Sequence, residues 1–249
     1  MNKVYQNKIV MITGVTSGIG LYLLKRFLEE DATVIGLYNH NDQKANELKK
    51  SYETKKLHIF QCDVTDEQKV LEVMGAVKKM FNRIDILINN AGVSIDGPVE
   101  SYDLKMFDKV YKVNLFGKIN CIQKSIPLLK NASHGKIINI ASRLATRPME
   151  DSVAYCSMAS AIVMMTQVAA LELMKYNISV NVVSPSLIET PLSLGFYTPD
   201  QIKTTAEKAI YSRLCREEDV FDAVDYICKK DDVFMTGENI NISGGILLK

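Results

Sequence analysis

The sequence predicts an α/β fold, a doubly wound parallel sheet in a single domain. Three observations carry that prediction. Strand-like and helix-like segments alternate from end to end, the arrangement that covers a parallel sheet on both faces. The strand-like segments are continuous apolar runs, as strands buried on both faces require. The first of them leads straight into a glycine-rich turn that opens a helix. Residues 1–249 read as this one domain, with no internal repeat, low-complexity tract or linker, and a chain of that length can bury a sizeable core.

The elements follow in order. KIVMIT (8–13) is a short apolar run that ends in glycine, the first strand. IGLYLLKRFLEE (19–30) has a helical pattern, and ATVIGLY (32–38) is the second strand. The polar stretch 41–56 suits an exposed helix; LHIFQCDV (57–64) is the third strand and 66–81 a helix. IDILINN (84–90) is the fourth strand. A long helical stretch covers 103–130, with an interruption expected near Pro127, which cannot donate to the helix ladder. KIINIAS (136–142) is the fifth strand, 153–176 an apolar helix and ISVNVVSP (178–185) the sixth strand. A Pro/Thr/Gly-rich segment precedes a helix at 217–229 and a last strand, NINIS (239–243). A doubly wound sheet gathers ligands beyond the carboxyl ends of its strands. Gly14–Gly20, Asn90–Gly92, Ser142 and Pro185–Thr190 are therefore expected to converge.

Composition excludes several classes of function. Thirty Lys and Arg against 29 Asp and Glu leave no footprint for nucleic acid or an acidic membrane. The longest apolar stretches are broken by polar residues short of a membrane span, and the first residues lack a signal-peptide pattern, so cytoplasmic residence is expected. Five scattered cysteines imply free thiols in a reducing compartment, with Cys156 a packed small residue. Three isolated histidines give no metal spacing.

TGVTSGIG (13–20) follows a strand, and its glycines let backbone N–H groups approach a pyrophosphate. Together with CDVTD (62–66), NNAG (89–92), Asn114, Ser142, Tyr155 and the run from Asn181 to Thr190, it resembles the short-chain dehydrogenase/reductase family, in a short form like the ketoacyl reductases. The matches span nearly the whole chain and imply a Rossmann fold with bound NADP or NAD. Carried over residue by residue, Gly14, Thr16, Ser17, Gly18, Ile19 and Gly20 would cradle the dinucleotide. Asp63 and Val64 would meet the adenine, Asn90, Ala91 and Gly92 its ribose, Ile188 the carboxamide, and Thr190 the carboxamide or the pyrophosphate. Ser186 stands where the family carries glycine. Strand two ends at Tyr38, followed by Asn39-His40-Asn41. Absence of an acid there favours NADP over NAD, with His40 or Lys44 available to a 2′-phosphate.

The resemblance implies interconversion of a carbonyl and an alcohol on a small molecule. Tyr155 would exchange the proton, Ser142 would hold the oxygen, and Asn114 would kink the long helix and hold a relay water. The family's signature is Tyr-x-x-x-Lys, and here the fourth position after Tyr155 is Ala159, native or introduced. Lysine there would lower the tyrosine pKa from about 10 towards 7, worth about 4 kcal/mol. Along this helix nothing replaces it: Ile162 stands seven residues on, and the next lysine is Lys175. Installing lysine at 159 is accordingly expected to raise reduction. Arg143 and Arg147, after Ser142, are either solvated loop charges or a cation for Tyr155 or an acidic substrate. A lid over about 191–213, with Leu192, Leu194, Phe196 and Tyr197, would cover a partly apolar ligand. The helix 153–176, apolar on all sides, reads as buried on all sides, which with 103–130 points to a homodimer or homotetramer. Two other readings remain open: a non-catalytic dinucleotide-binding protein acting as regulator or partner subunit, and an isomerase or dehydratase without net hydride transfer.

Overall fold

Ile9–Thr13 forms β1, and all five of its residues are buried. In the computed structural model it lies inside a sheet of seven parallel strands ordered β3-β2-β1-β4-β5-β6-β7. The structure describes residues 3–52, 56–194 and 197–248, so Phe196 of the expected lid lies outside the described residues. The strands are β2 (Thr33–Tyr38), β3 (Leu57–Gln61), β4 (Ile86–Asn89), β5 (Gly135–Ile140), β6 (Ile178–Pro185) and β7 (Asn239–Ile242). After β3 the chain returns to the far side of β1, so the order reverses between β1 and β4.

Alternation within each strand feeds two cores, since successive side chains point to opposite faces. Val10 and Ile12 join Leu23, Leu24 and Phe27 of α1 (Gly18–Glu29) and Phe221 and Val224 of α9 (Glu217–Lys229). Ile9 and Met11 join Val73 and Met74 of α3 (Glu67–Phe81) and, across the same face, Cys121, Ile122 and Leu129. The polar stretch after β2 is α2 (Asp42–Ser51), capped by Asn41, which accepts from the Lys44 N–H.

The long helical stretch breaks at Asn114, where the family resemblance implies a kink, and not near Pro127. It comprises α4 (Leu104–Tyr111), a π-helical turn (Lys112–Phe116) and α5 (Gly117–Leu129), which contains Pro127. Pro127 sits in the last turn of α5, so the one ladder bond that it removes falls at the end of the helix and does not interrupt its interior. The π turn is centred on Asn114, whose amide is tied to the backbone of Val93 rather than left to the helix surface.

Helix α6 (Val153–Leu173) also departs from expectation. Within the chain it buries one stripe, from Ala154 through Met158, Ala159, Ile162, Thr166 and Ala170 to Leu173. Met164, Val168 and Leu171 are exposed, Leu171 to 83 %. With the short turn Met174–Tyr176, this helix is long and apolar enough to cross a membrane by length and composition, contrary to the expectation that no stretch would be. In the structure its buried stripe packs on β6. After β6 come α7 (Pro191–Leu194) and α8 (Pro199–Lys208). Helix α8 was not anticipated. Its start is written in Thr198-Pro199-Asp200-Gln201, a reciprocal capping box with proline in the first turn.

Candidate active site

The glycine-rich turn is pinned from below. The Thr13 hydroxyl accepts from the Asn90 and Ala91 N–H groups, both at 2.9 Å. The Asn90 amide donates to Thr13 O at 3.0 Å and Gly14 O at 3.2 Å. Gly14 has φ +73°, and a Cβ on Gly20 would stand 2.1 Å from Gly14 O. Only glycine permits that approach of helix to loop. Ser17 makes no side-chain cap, so the first N–H groups of α1 lack a partner there and face outward, a ready site for a pyrophosphate. Gly14, Thr16, Ser17, Gly18 and Ile19 line a cavity of about 140 Å³ with Asn90, Ala91, Gly92 and Thr190. The Asn90 side chain braces the loop, so in this structure a ligand meets its backbone. Thr13 was not singled out in the sequence; its signal was a hydroxyl at the last position of an apolar strand.

Ser142 follows β5 and caps a short turn, its Oγ accepting from Leu144 N at 3.2 Å. Tyr155 stands in the first turn of α6. Both line a cavity of about 100 Å³ with Ser94, Arg143, Ile188, Thr190 and Tyr197. Burial pushes the Tyr155 phenol up to about 12, although the Ser142 hydroxyl, within hydrogen-bonding reach, pulls it down. Arg143 is brought into this cavity, and burial lowers its guanidinium pKa while Tyr197 opposes that shift. Arg147 turns elsewhere and donates to Ile246 O at 2.7 Å. Burial raises the Asp96 carboxyl, and the hydroxyls of Ser152 and Ser94, at 3.2 and 3.3 Å, hold it down.

A third cavity, about 80 Å³, adjoins these two. Tyr155 and Ala159 line it from α6, Asn114 from the π turn, and Ile19, Asn90, Ala91 and Gly92 from the dinucleotide side. Both polar atoms of the Asn114 side chain are taken by Val93, accepting from its N–H and donating to its carbonyl, each at 2.8 Å. Asn114 therefore acts by position. The same cavity holds Lys118, one helical turn after Asn114 on α5. Its ammonium donates to Asn89 O at 2.7 Å and Ala91 O at 3.2 Å, and burial brings it down to about 7. The search along α6 missed it because it arrives from another helix; the four-residue spacing from Asn114 was the available signal. Lys175 lies at the far end of α6 against the ring of Tyr176.

The expected adenine contacts sit apart from these cavities. Asn39, beyond β2, donates to Asp63 Oδ2 at 3.0 Å, while Thr65 N and its hydroxyl hold Oδ1 at 2.9 and 2.8 Å. Burial raises the Asp63 carboxyl, but these donors prevail and keep it low. Val64 packs as core, with its carbonyl accepting from Asn120 at 2.9 Å. Lys44 turns along α2 to Glu47 at 3.0 Å, and the Tyr38 hydroxyl donates to Asp42 at 2.9 Å. Ile188 and Thr190 are joined through Ser193, which accepts from Thr190 N at 3.0 Å and donates to Ile188 O. A larger cavity, about 420 Å³, lies between α8 and the end of β7, and neither Ser142 nor Tyr155 lines it. Among the described residues no cluster of three metal-ligating side chains occurs.

A model of the short chain dehydrogenases matches residues 8–198. The NAD-dependent glycerol dehydrogenase of Listeria innocua is 32 % identical over 244 residues, spanning 98 % of this chain and 95 % of that protein. The 3-oxoacyl-[acyl-carrier-protein] reductase of Thermotoga maritima is 30 % identical over 246 residues, spanning 98 % and 99 %. A solved complex of Pseudomonas aeruginosa RhlG with NADP superposes with a TM-score of 0.90 at 25 % identity, covering 99 % of this chain and 100 % of that one.

Proposed function

The chain belongs to the short-chain dehydrogenase family, and from that premise we propose that it is an NAD(P)-dependent reductase of a small carbonyl compound. The observation that carries this reading is the meeting of the Ser142 and Tyr155 hydroxyls in a cavity continuous with the groove of the glycine-rich turn. When bound, the nicotinamide supplies a hydride to the carbonyl carbon. Ser142 donates to the carbonyl oxygen as negative charge develops there, and Tyr155 gives that oxygen its proton. A phenol held near 12 is an acid at neutral pH. Only about one in 10⁵ would be ionised at pH 7, so the group is present as the phenol that carbonyl reduction needs.

Several finer features belong to the same proposal. The family's lysine position is occupied by Ala159. The dinucleotide is NADPH rather than NADH, because Asn39 and not an acid follows β2; His40 is then the cation left for the 2′-phosphate, since Lys44 is engaged by Glu47. Residues 191–194 and 197–213 close over the carbonyl substrate, and Arg143 in the cavity wall favours a substrate with an acidic or strongly polar group. The exposed faces of α4, α5 and α6 pair copies of the chain, and the enzyme is cytoplasmic.

The test titrates NADPH and NADH, then follows nicotinamide absorbance across a panel of aldehydes and ketones. NADPH binding at least tenfold tighter, with turnover of at least one panel member abolished in Tyr155→Phe, is expected. Tight binding without turnover would establish the alternative, a non-catalytic dinucleotide-binding partner subunit, which Ala159 favours. Failure to bind either dinucleotide would refute both.

A further inference from the structure

A lysine ammonium enclosed by protein is costly unless an anion or several acceptors meet it. Lys118 is 4 % exposed. Among the described residues no carboxylate pairs with it, and the Cys121 thiol bears on it. An ammonium has three donors. Two go to Asn89 O and Ala91 O, which leaves one for the cavity that Lys118 lines. Tyr155 lines the same cavity, and burial holds it too in its neutral form. The groups that bear on Tyr155 are the Ser142 hydroxyl, Tyr197, Asp96 and Cys156; none is a cation, and Arg143 bears on Tyr197 and Cys156. Ala159 lines the same cavity, and its single methyl group occupies less of it than a longer side chain would.

We propose that Lys118, delivered by α5, is the counter-cation of Tyr155, filling from a neighbouring helix the space that Ala159 leaves. The inference rests on the reductase reading and deepens it. As hydride reaches the carbonyl carbon and the Tyr155 proton passes to its oxygen, an alcohol and a phenolate are left. Lys118 stabilises that phenolate until a proton from solvent restores the phenol. Lys118 is thus a positioning residue acting through Tyr155, and an alanine at 159 is compatible with turnover.

The test reads the charge on Tyr155 directly and needs no substrate. The ultraviolet difference between the chain and its Tyr155→Phe variant isolates the phenolate of this one residue as pH is raised. The same difference is taken in Lys118→Gln, which can still donate to Asn89 O and Ala91 O without a charge, and in Lys118→Met, each paired with Tyr155→Phe. Dinucleotide binding reports that each variant is folded. A phenolate in turn holds the proton on Lys118, so the two groups titrate as a pair; both Lys118 variants are therefore expected to raise the apparent Tyr155 pKa by at least one unit, a tenfold loss of phenolate at a given pH. An unchanged titration in the folded Lys118→Gln variant would overturn the proposal. A shifted titration in a chain that turns over no carbonyl would uphold the pairing and refute the reductase reading. Where turnover is found, Lys118→Gln should lower kcat with KM little changed and move the pH profile with the phenol.

Discussion

Installing lysine at 159 restores the family signature, and the sequence alone argues that activity should rise. The structure reverses that expectation. Ala159 is 3 % exposed and lines a cavity of about 80 Å³ that already holds one ammonium. A second ammonium in the same cavity would add like-charge repulsion on the order of a few kcal/mol, since unit charges about 4 Å apart interact by about 4 kcal/mol at an effective dielectric constant of 20. Overpacking of the cavity would add about 1–3 kcal/mol. The penalty depends on pH with a definite sign. Burial puts the folded-state pKa of Lys118 near 7, below that of a lysine in the unfolded chain. The unfolded chain therefore holds more protons between about pH 7 and 10, and stability rises with pH across that window. Urea unfolding of Ala159→Lys at pH 6 and pH 9 should show a loss of several kcal/mol relative to the parent at the lower pH, and a smaller loss at the higher. Reductase activity should fall at both. The double variant Ala159→Lys, Lys118→Val, with one cation again, should recover most of the stability and a measurable part of the activity. An Ala159→Lys chain as stable as its parent at pH 6, or more active, would refute the reasoning by showing that the two positions do not share one electrostatic environment.

Further outcomes follow from the same geometry. The unmodified chain should gain stability between pH 7 and 9 through Lys118, and Lys118→Gln should flatten that part of its urea-midpoint profile; a profile unaltered by the substitution contradicts the assignment. Gly20→Ala should abolish dinucleotide binding and destabilise the chain by about 1–3 kcal/mol, because the new methyl meets Gly14 O at 2.1 Å; isothermal titration and thermal unfolding check both, and retained affinity would be inconsistent with the packing. Leu171→Glu places a charge on the exposed face of α6 and should reduce the mass measured by light scattering towards that of one 27.9 kDa chain. An unchanged mass above that value would place the contact elsewhere.

The strands were legible because their signal is local. Runs such as Ile86–Asn89 and Gly135–Ile140 must be apolar throughout to be buried on both faces, and each was found within two residues of its bounds. The glycine-rich turn was legible for a similar reason, since its constraints act between neighbours. What escaped depends on contacts distant in sequence. Pro127 marks no break; the kink falls at Asn114, as the resemblance implied, but its cause, the bonds to Val93 twenty-one residues earlier, is not local. Composition showed that α6 is apolar but not which face the sheet would take. Lys118 was invisible to a search along one helix, because its acceptors lie at Asn89 and Ala91 and its neighbour Tyr155 lies on another element.

The segment Asn89–Ala91 is gripped from two sides. Thr13 and Gly14 hold its N–H groups and the Asn90 amide, while Lys118 takes two of its carbonyls. Three residues of backbone thus connect the place where a dinucleotide lands to the place where a proton moves. A ligand that tightens the glycine-rich turn tightens the seat of the ammonium as well, so the second cavity is finished only after the first is filled. The kinetic corollary is a compulsory sequence in which dinucleotide enters first and leaves last. Product inhibition would display it as competition between the oxidised and reduced dinucleotides alone.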